Sequence, residues 1–305
     1  MTKKWLLIIF ILLANAMQIN CQTVDELFVS AFTKYRSQDF SGAIVDYTKT
    51  LALKADYSDA YFNRAICYEM LNKYQNAIAD YTVVLLLNAK DENTLLNRGM
   101  AYAKIGKNKN ALNDFTLALQ YKPDFANAYY QRALIYENAG MDSAAIKDFT
   151  EFIVLNPNSV IGNFALAKQY DAMEEYAMAI IMYSKVIAMD STYVKAYFNR
   201  AYDYDLISQT DKAIEDYCKV IQLDAKNTDA FFNRAYIYND LTEFDKAIWD
   251  YTQVIALQPQ SADAYFNRGM AKVHAGRKQE ACDDIVKAAE LGDRIAKKYY
   301  IANCK

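Results

Sequence analysis

The feature that most constrains this chain is a six-residue phrase, Ala196-Tyr197-Phe198-Asn199-Arg200-Ala201, which returns every 34 residues. Variants include Tyr61-Phe62-Asn63-Arg64-Ala65, Tyr129-Tyr130-Gln131-Arg132-Ala133, Phe231-Phe232-Asn233-Arg234-Ala235 and Tyr265-Phe266-Asn267-Arg268-Gly269. A unit of this length cannot bury its apolar face alone, so such units must stack on their neighbours. No insertion or deletion interrupts the count between Val24 and Ile295, which gives eight repeats starting at Val24, Ser58, Glu92, Ala126, Val160, Val194, Thr228 and Ala262. Pro and Gly are scarce and no linker or low-complexity stretch occurs, so residues 22–305 are expected to form one array.

Numbered from 1 to 34, each repeat carries two stripes at helical spacing. In the first, position 4 is often aromatic, position 8 is always Ala or Gly, and position 11 is Tyr in six repeats, from Tyr68 to Tyr238. In the second, position 20 is Ala in all eight repeats, position 24 is aromatic in seven, and position 28 is branched aliphatic from Leu51 through Ile255. Two helices per repeat follow, drawn together by the small residues and filled around by the rings. Gly106, Gly140 and Gly276 share position 15 and suit a left-handed helix end. All three prolines, Pro123, Pro157 and Pro259, fall at position 32, where they stop the second helix.

Charge follows the same period. Position 7 is Arg64, Arg98, Arg132, Arg200, Arg234 and Arg268, and position 23 is Asp46, Asp80, Asp114, Asp148, Asp216, Asp250 and Asp284. The fifth repeat loses both together, with Leu166 and Met182 in their places. Joint loss favours pairing within a repeat, which leaves Asp46 without an arginine; solvated helix-face charges are the alternative.

Tyr197-x2-Arg200-Ala201-x2-Tyr204 followed by Ala213-x3-Tyr217, with Pro259 and its counterparts closing other repeats, resembles the signature of the tetratricopeptide repeat family. Tyr stands where the family commonly has Trp, and Arg where it has Leu. The resemblance runs from Val24 to about Ile295. It implies an all-α fold, an α-solenoid of antiparallel helix pairs in a right-handed superhelix, with a short capping helix within 296–305. It also implies a concave face built mainly from the first helix of each pair, a groove that usually holds a protein segment.

The positions that face the groove in the family are 2, 5, 9, 12 and 13. Here they carry Phe62, Tyr130, Phe198, Phe232 and Phe266 at position 5 and Tyr202 and Tyr236 at position 9. Acidic residues including Asp171, Asp205 and Asp240 form the border, and Asn199 and Asn233 stand next to the rings as possible donors to a ligand backbone or to neighbouring helices. Such a groove suits a peptide with apolar anchors and some basic residues. Positions 5 and 9 are equally suited to packing between adjacent helices. Family members that clamp a free C-terminus use paired lysines; here position 5 has none and position 2 has only Lys195, so that clamp is incomplete.

Outside the repeats, Lys3 and Lys4 precede the apolar run Trp5 to Ala14. It is about half the roughly 20 residues that cross a bilayer, so it reads as a secretory signal in 1–21, and no membrane span is expected in the mature chain. Ala14-Asn15-Ala16 offers a cleavage site. Cleavage before Gln22 is the alternative, and a lipid anchor on Cys21 is disfavoured by the preceding Gln18-Ile19-Asn20. Export makes a disulfide between Cys282 and Cys304 plausible, because the last second helix must pack on 296–305; two ordinary buried small residues are the alternative. Cys67 and Cys218 are expected to be free.

With a net charge of -3 and no basic cluster, nucleic acid is excluded as a natural partner. The sole histidine, His274, has no Cys or His at ligand spacing and no nucleophile a turn away, and there is no Gly-rich phosphate loop. No cofactor, metal or catalytic residue is expected. The sequence therefore points to a non-enzymatic scaffold for a protein partner in the cell envelope or outside the cell. A small-molecule or sugar binding module and a self-stacking structural element remain alternatives.

Overall fold

The computed structural model describes residues 22–304; the expected signal segment, with Cys21, lies outside the described residues. Among the described residues every regular element is an α-helix. In chain order they are α1 (Val24–Arg36), α2 (Phe40–Leu53), α3 (Ser58–Met70), α4 (Tyr74–Leu87), α5 (Glu92–Lys104), α6 (Asn108–Tyr121), α7 (Ala126–Asn138), α8 (Asp142–Leu155), α9 (Val160–Ala172), α10 (Tyr176–Met189), α11 (Val194–Leu206), α12 (Thr210–Leu223), α13 (Thr228–Asp240), α14 (Phe244–Leu257), α15 (Ala262–His274), α16 (Lys278–Glu290) and α17 (Arg294–Asn303). Each odd-numbered helix up to α15 begins on a repeat start. The chain divides into two compact units with the boundary between Ala139 and Gly140, and within each unit helices pack on their neighbours in sequence order.

Position 15 closes the first helix of every repeat in the left-handed region. Besides Gly106, Gly140 and Gly276, this holds for Gln38, Asn72, Glu174, Ser208 and Thr242, with φ between 57° and 65°. The next amide then bonds back to the carbonyl at position 11, as in Lys107 N to Tyr102 O at 2.9 Å and Gln209 N to Tyr204 O at 2.7 Å. This closure satisfies carbonyls that the helix end would orphan, and it turns the chain into the second helix within three residues. The prolines fall two residues past α6, α8 and α14.

The eight alanines at position 20 are all fully buried, as are the rings at position 24. Position 8 lies against them so closely that a Cβ added to Gly99 would stand 2.5 Å from Phe115 Cε1.

The last repeat departs from the count. Its second helix, α16, has 13 residues instead of the 14 of the other second helices, and Gly292, at φ 102°, turns the chain early. Consequently α17 starts at Arg294, ahead of the expected 296, where the Asp293 side chain accepts from the amides of Ile295 and Ala296 at 2.7 and 3.0 Å. A disulfide between Cys282 and Cys304, with Cα atoms 5.6 Å apart, ties the far end of this helix to α16.

Candidate functional site

The first helices owe their orientation to a repeated ionic tie. Arg64, Arg98, Arg200, Arg234 and Arg268 each grip the aspartate 16 residues on with two parallel hydrogen bonds of 2.6 to 2.9 Å. The remaining guanidinium nitrogen reaches back one repeat to position 25, as in Arg64 to Thr48 Oγ1, Arg200 to Ser184 Oγ and Arg234 to Cys218 Sγ. One arginine thus joins three helices. Asp46, expected to lack a partner, has three: Lys34 Nζ at 2.6 Å, Ser30 Oγ at 2.7 Å and Lys49 Nζ at 3.1 Å. Burial works against its charge, yet Lys34, Ser30 and Lys49 hold its carboxyl down at about 2.

Position 5 splits its surface between core and solvent. Phe62, Phe198 and Phe232 stand half-buried, edge-on to Tyr81, Tyr217 and Tyr251 of their own second helices, with ring centroids 5.4 to 5.7 Å apart. Phe266 packs against the cluster around Ala281 and Ile285, and Tyr130 is half-buried on α7 of the first unit. Position 9 is open: Tyr202 is 48% and Tyr236 52% exposed. Asn199 and Asn233 donate to the hydroxyls of Tyr183 and Tyr217 in the preceding repeats, at 3.0 and 3.2 Å. Of the two roles open to these asparagines, each has at least one donor committed to the neighbouring helix.

Beneath the open tyrosines of the second unit lies a carboxyl row that sequence reasoning noticed only in part. Asp171 and Asp205 belong to the acidic border, whereas Asp203, at position 10, lies outside the groove positions in a largely apolar column. Asp203 is fully buried, and burial followed by the charge of Asp171 pushes its carboxyl well above the usual carboxylate range. Burial and then Asp240 also raise Asp205. On α3 the corresponding border residue is spoken for: Glu69 accepts from the Tyr81 hydroxyl at 2.9 Å. Among the described residues, no three of His, Cys, Asp or Glu converge as a metal-ligand set.

This arrangement offers rings, hydroxyls and carboxyls that a ligand could meet. Comparison with known proteins bears on the same point. A family profile described as Tetratricopeptide repeat matches residues 33–91, 96–160 and 232–296, and a second with that description matches 194–227, the span of the sixth repeat. Comparison with curated proteins finds no match. Among solved structures, the C-terminal part of a TPR repeat-containing protein from Cytophaga hutchinsonii is 23% identical with a TM-score of 0.71, covering 79% of this chain and 98% of that one. MamA is 26% identical with a TM-score of 0.53, over 56% of this chain and 94% of its own. YrrB, described as a TPR protein with an unusual peptide-binding site, is 18% identical with a TM-score of 0.54, over 61% and 96%. The period, the paired helices and the profile matches agree: the chain belongs to the tetratricopeptide repeat family.

Proposed function

We propose that this protein is a non-enzymatic scaffold that holds a segment of a partner protein against the face of its odd-numbered helices. The observation that carries this reading is the pair Tyr202 and Tyr236, each about half exposed beside half-buried Phe198 and Phe232 in an otherwise tightly packed repeat. Exposed tyrosines over a rigid support supply contact area at low entropic cost. The peptide-binding site in the description of YrrB lends support by analogy of fold. An exported location is part of the proposal, supported by the apolar run Trp5 to Ala14 and by the Cys282–Cys304 disulfide, a bond that persists in oxidising compartments.

The test is pull-down from an envelope fraction with the wild type and a Tyr202→Ala/Tyr236→Ala variant. These side chains point outward, so the variant should keep the wild-type melting temperature while losing its partner. Retention of every partner by a folded variant refutes the reading. Recovery of the full-length protein in the cytoplasm alone, with its thiols reduced, refutes the location.

A further inference from the structure

The carboxyl row of the second unit is left unused by the packing. Position 10 is buried and filled by Cys67, Ala101, Ile135, Ile237 and Ala271 in five repeats and by the neutral amide of Gln169 in the fifth repeat; at Asp203 the same site receives a carboxyl. Asp203 is 0% exposed, and neither of its oxygens accepts a hydrogen bond from a described residue. A buried carboxyl without donors is costly, and the least costly answer in the free protein is to keep its proton, the more so because the charge of Asp171 on α9 acts on it. On the same helix as Asp203, Asp205 feels the charge of Asp240 on α13. Two pairs of acids thus act on one another across successive odd-numbered helices, α9 with α11 and α11 with α13. In each pair the acidic partner adds to burial in disfavouring charge. Tyr176 and Tyr183 from α10 and Tyr217 from α12 also sense these carboxylates and are raised, chiefly by burial. Exposed Tyr202 lies among these groups, acting on both Tyr176 and Tyr217.

We propose that this row is the seat of a cationic side chain, lysine or arginine, carried by the segment bound on the same face. The inference rests on the reading of that face as peptide-binding and adds a charge requirement to it. A guanidinium or ammonium brought alongside Tyr202 gains the negative face of its ring and meets the part-exposed Asp171 and Asp205. Its charge lowers the proton affinity of the acid pairs, so Asp203 gives up its proton to the solvent as the cation arrives. One positive charge enters and one proton leaves.

Isothermal titration at pH 7 tests this, with a capped peptide alternating leucine and arginine and the same peptide carrying citrulline for arginine. The arginine peptide is expected to bind about tenfold more tightly, the equivalent of about 1.4 kcal/mol. Its heat should differ between phosphate and Tris buffers because a proton is released. Asp203→Asn, nearly isosteric with the protonated acid, should fold normally and abolish the buffer dependence, while Asp171→Asn/Asp205→Asn should remove the preference for arginine. Equal affinity for both peptides, lost in Tyr202→Ala/Tyr236→Ala, overturns the cation seat and leaves the peptide-binding face standing. Failure of the arginine peptide to bind at low salt also overturns the seat, and the pull-down then judges the face by itself. Tighter binding with no proton released overturns the coupling to Asp203.

Discussion

Arg200 holds Asp216 through Nε to Oδ2 at 2.7 Å and Nη2 to Oδ1 at 2.8 Å, and turns Nη1 to Ser184 Oγ at 2.8 Å in the preceding repeat. A single side chain thereby fixes α11 against both α10 and α12. The carboxylate is buried, and burial, opposed by Arg200, raises Asp216, while pairing with Asp216 raises Arg200 against its own burial, so attraction and desolvation largely offset each other. The tie sets position more than it adds net stability. The fifth repeat carries the alternative solution, with Leu166 2% and Met182 6% exposed in place of the two charges.

Removing one partner should therefore be far worse than removing both. Arg200→Leu or Asp216→Leu alone is expected to cost about 3 to 5 kcal/mol in urea denaturation, because each strands a buried group. The double replacement imitates the fifth repeat and should recover most of that loss. Losses that simply add would show that the two residues act independently.

Gly99→Ala is expected to destabilise the first unit, against the ordinary preference of helices for alanine. The new Cβ would lie 2.5 Å from Phe115 Cε1, and Phe115 is fully buried with nowhere to move. Overpacking of this kind costs about 1 to 3 kcal/mol, more than the roughly 1 kcal/mol that alanine gains over glycine in a helix. A raised melting temperature would mean that α5 and α6 have slack at this contact.

The opposite substitution should help at Thr242. Its φ of 60° places a β-branched residue in the left-handed region, where a side chain costs about 1 to 2 kcal/mol. Thr242→Gly relieves this at some cost in unfolded-chain entropy, for a net gain of about 1 kcal/mol in thermal or urea unfolding. Gly106→Thr, at the same position of an earlier repeat, should lose a similar amount. A Thr242→Gly protein less stable than the wild type would contradict the strain.

These positions also mark how far the sequence alone reaches. The period places every odd-numbered helix up to α15, because the alanines at position 20 and the rings at position 24 permit one mutual packing and recur without a slip. Left-handed geometry is visible only where glycine advertises it; Gln38, Glu174 and Thr242 carry no such signal, and only alignment with Gly106 in the count could have assigned it. Asp46 was hidden for another reason: its partners Ser30 and Lys34 lie at positions 7 and 11, and residue type alone does not show that Lys34 folds back over one turn. At the candidate face the rings were legible from position. The burial of Asp203 was not, since position 10 also carries exposed Thr33 and buried Gln169, and a polar residue there is silent until its neighbours are placed.

Reduction of the disulfide should act locally. Cys282 and Cys304 enclose a segment with a sequence separation of 22, for which loop closure predicts about 3 kcal/mol of stabilisation. α17 is the last described element and buries only Ala296 completely, so the effect should fall on it first. Hydrogen exchange with and without reductant is expected to show loss of protection in 294–303. A Cys282→Ala/Cys304→Ala protein should show the same loss in either condition. Unchanged protection after verified reduction would mean that packing of Ala296, Tyr299 and Tyr300 holds the cap unaided.

The carboxyl row gives stability an uncommon pH dependence. Asp203 has a folded-state affinity for its proton raised above the ordinary aspartate value of 3.8, so in the window above that value the folded chain binds more proton than the unfolded chain. Stability contributed by this group is then complete below about pH 4 and is lost as pH rises toward about 8, the reverse of a salt-bridged aspartate. Asp203→Asn removes the titrating group while keeping its shape. The variant should unfold at higher temperature than the wild type at pH 8, and the advantage should shrink steadily as the pH is lowered to 5. Parallel pH profiles for the two proteins would mean that Asp203 is charged in the folded state, which requires a donor that none of the described residues supplies.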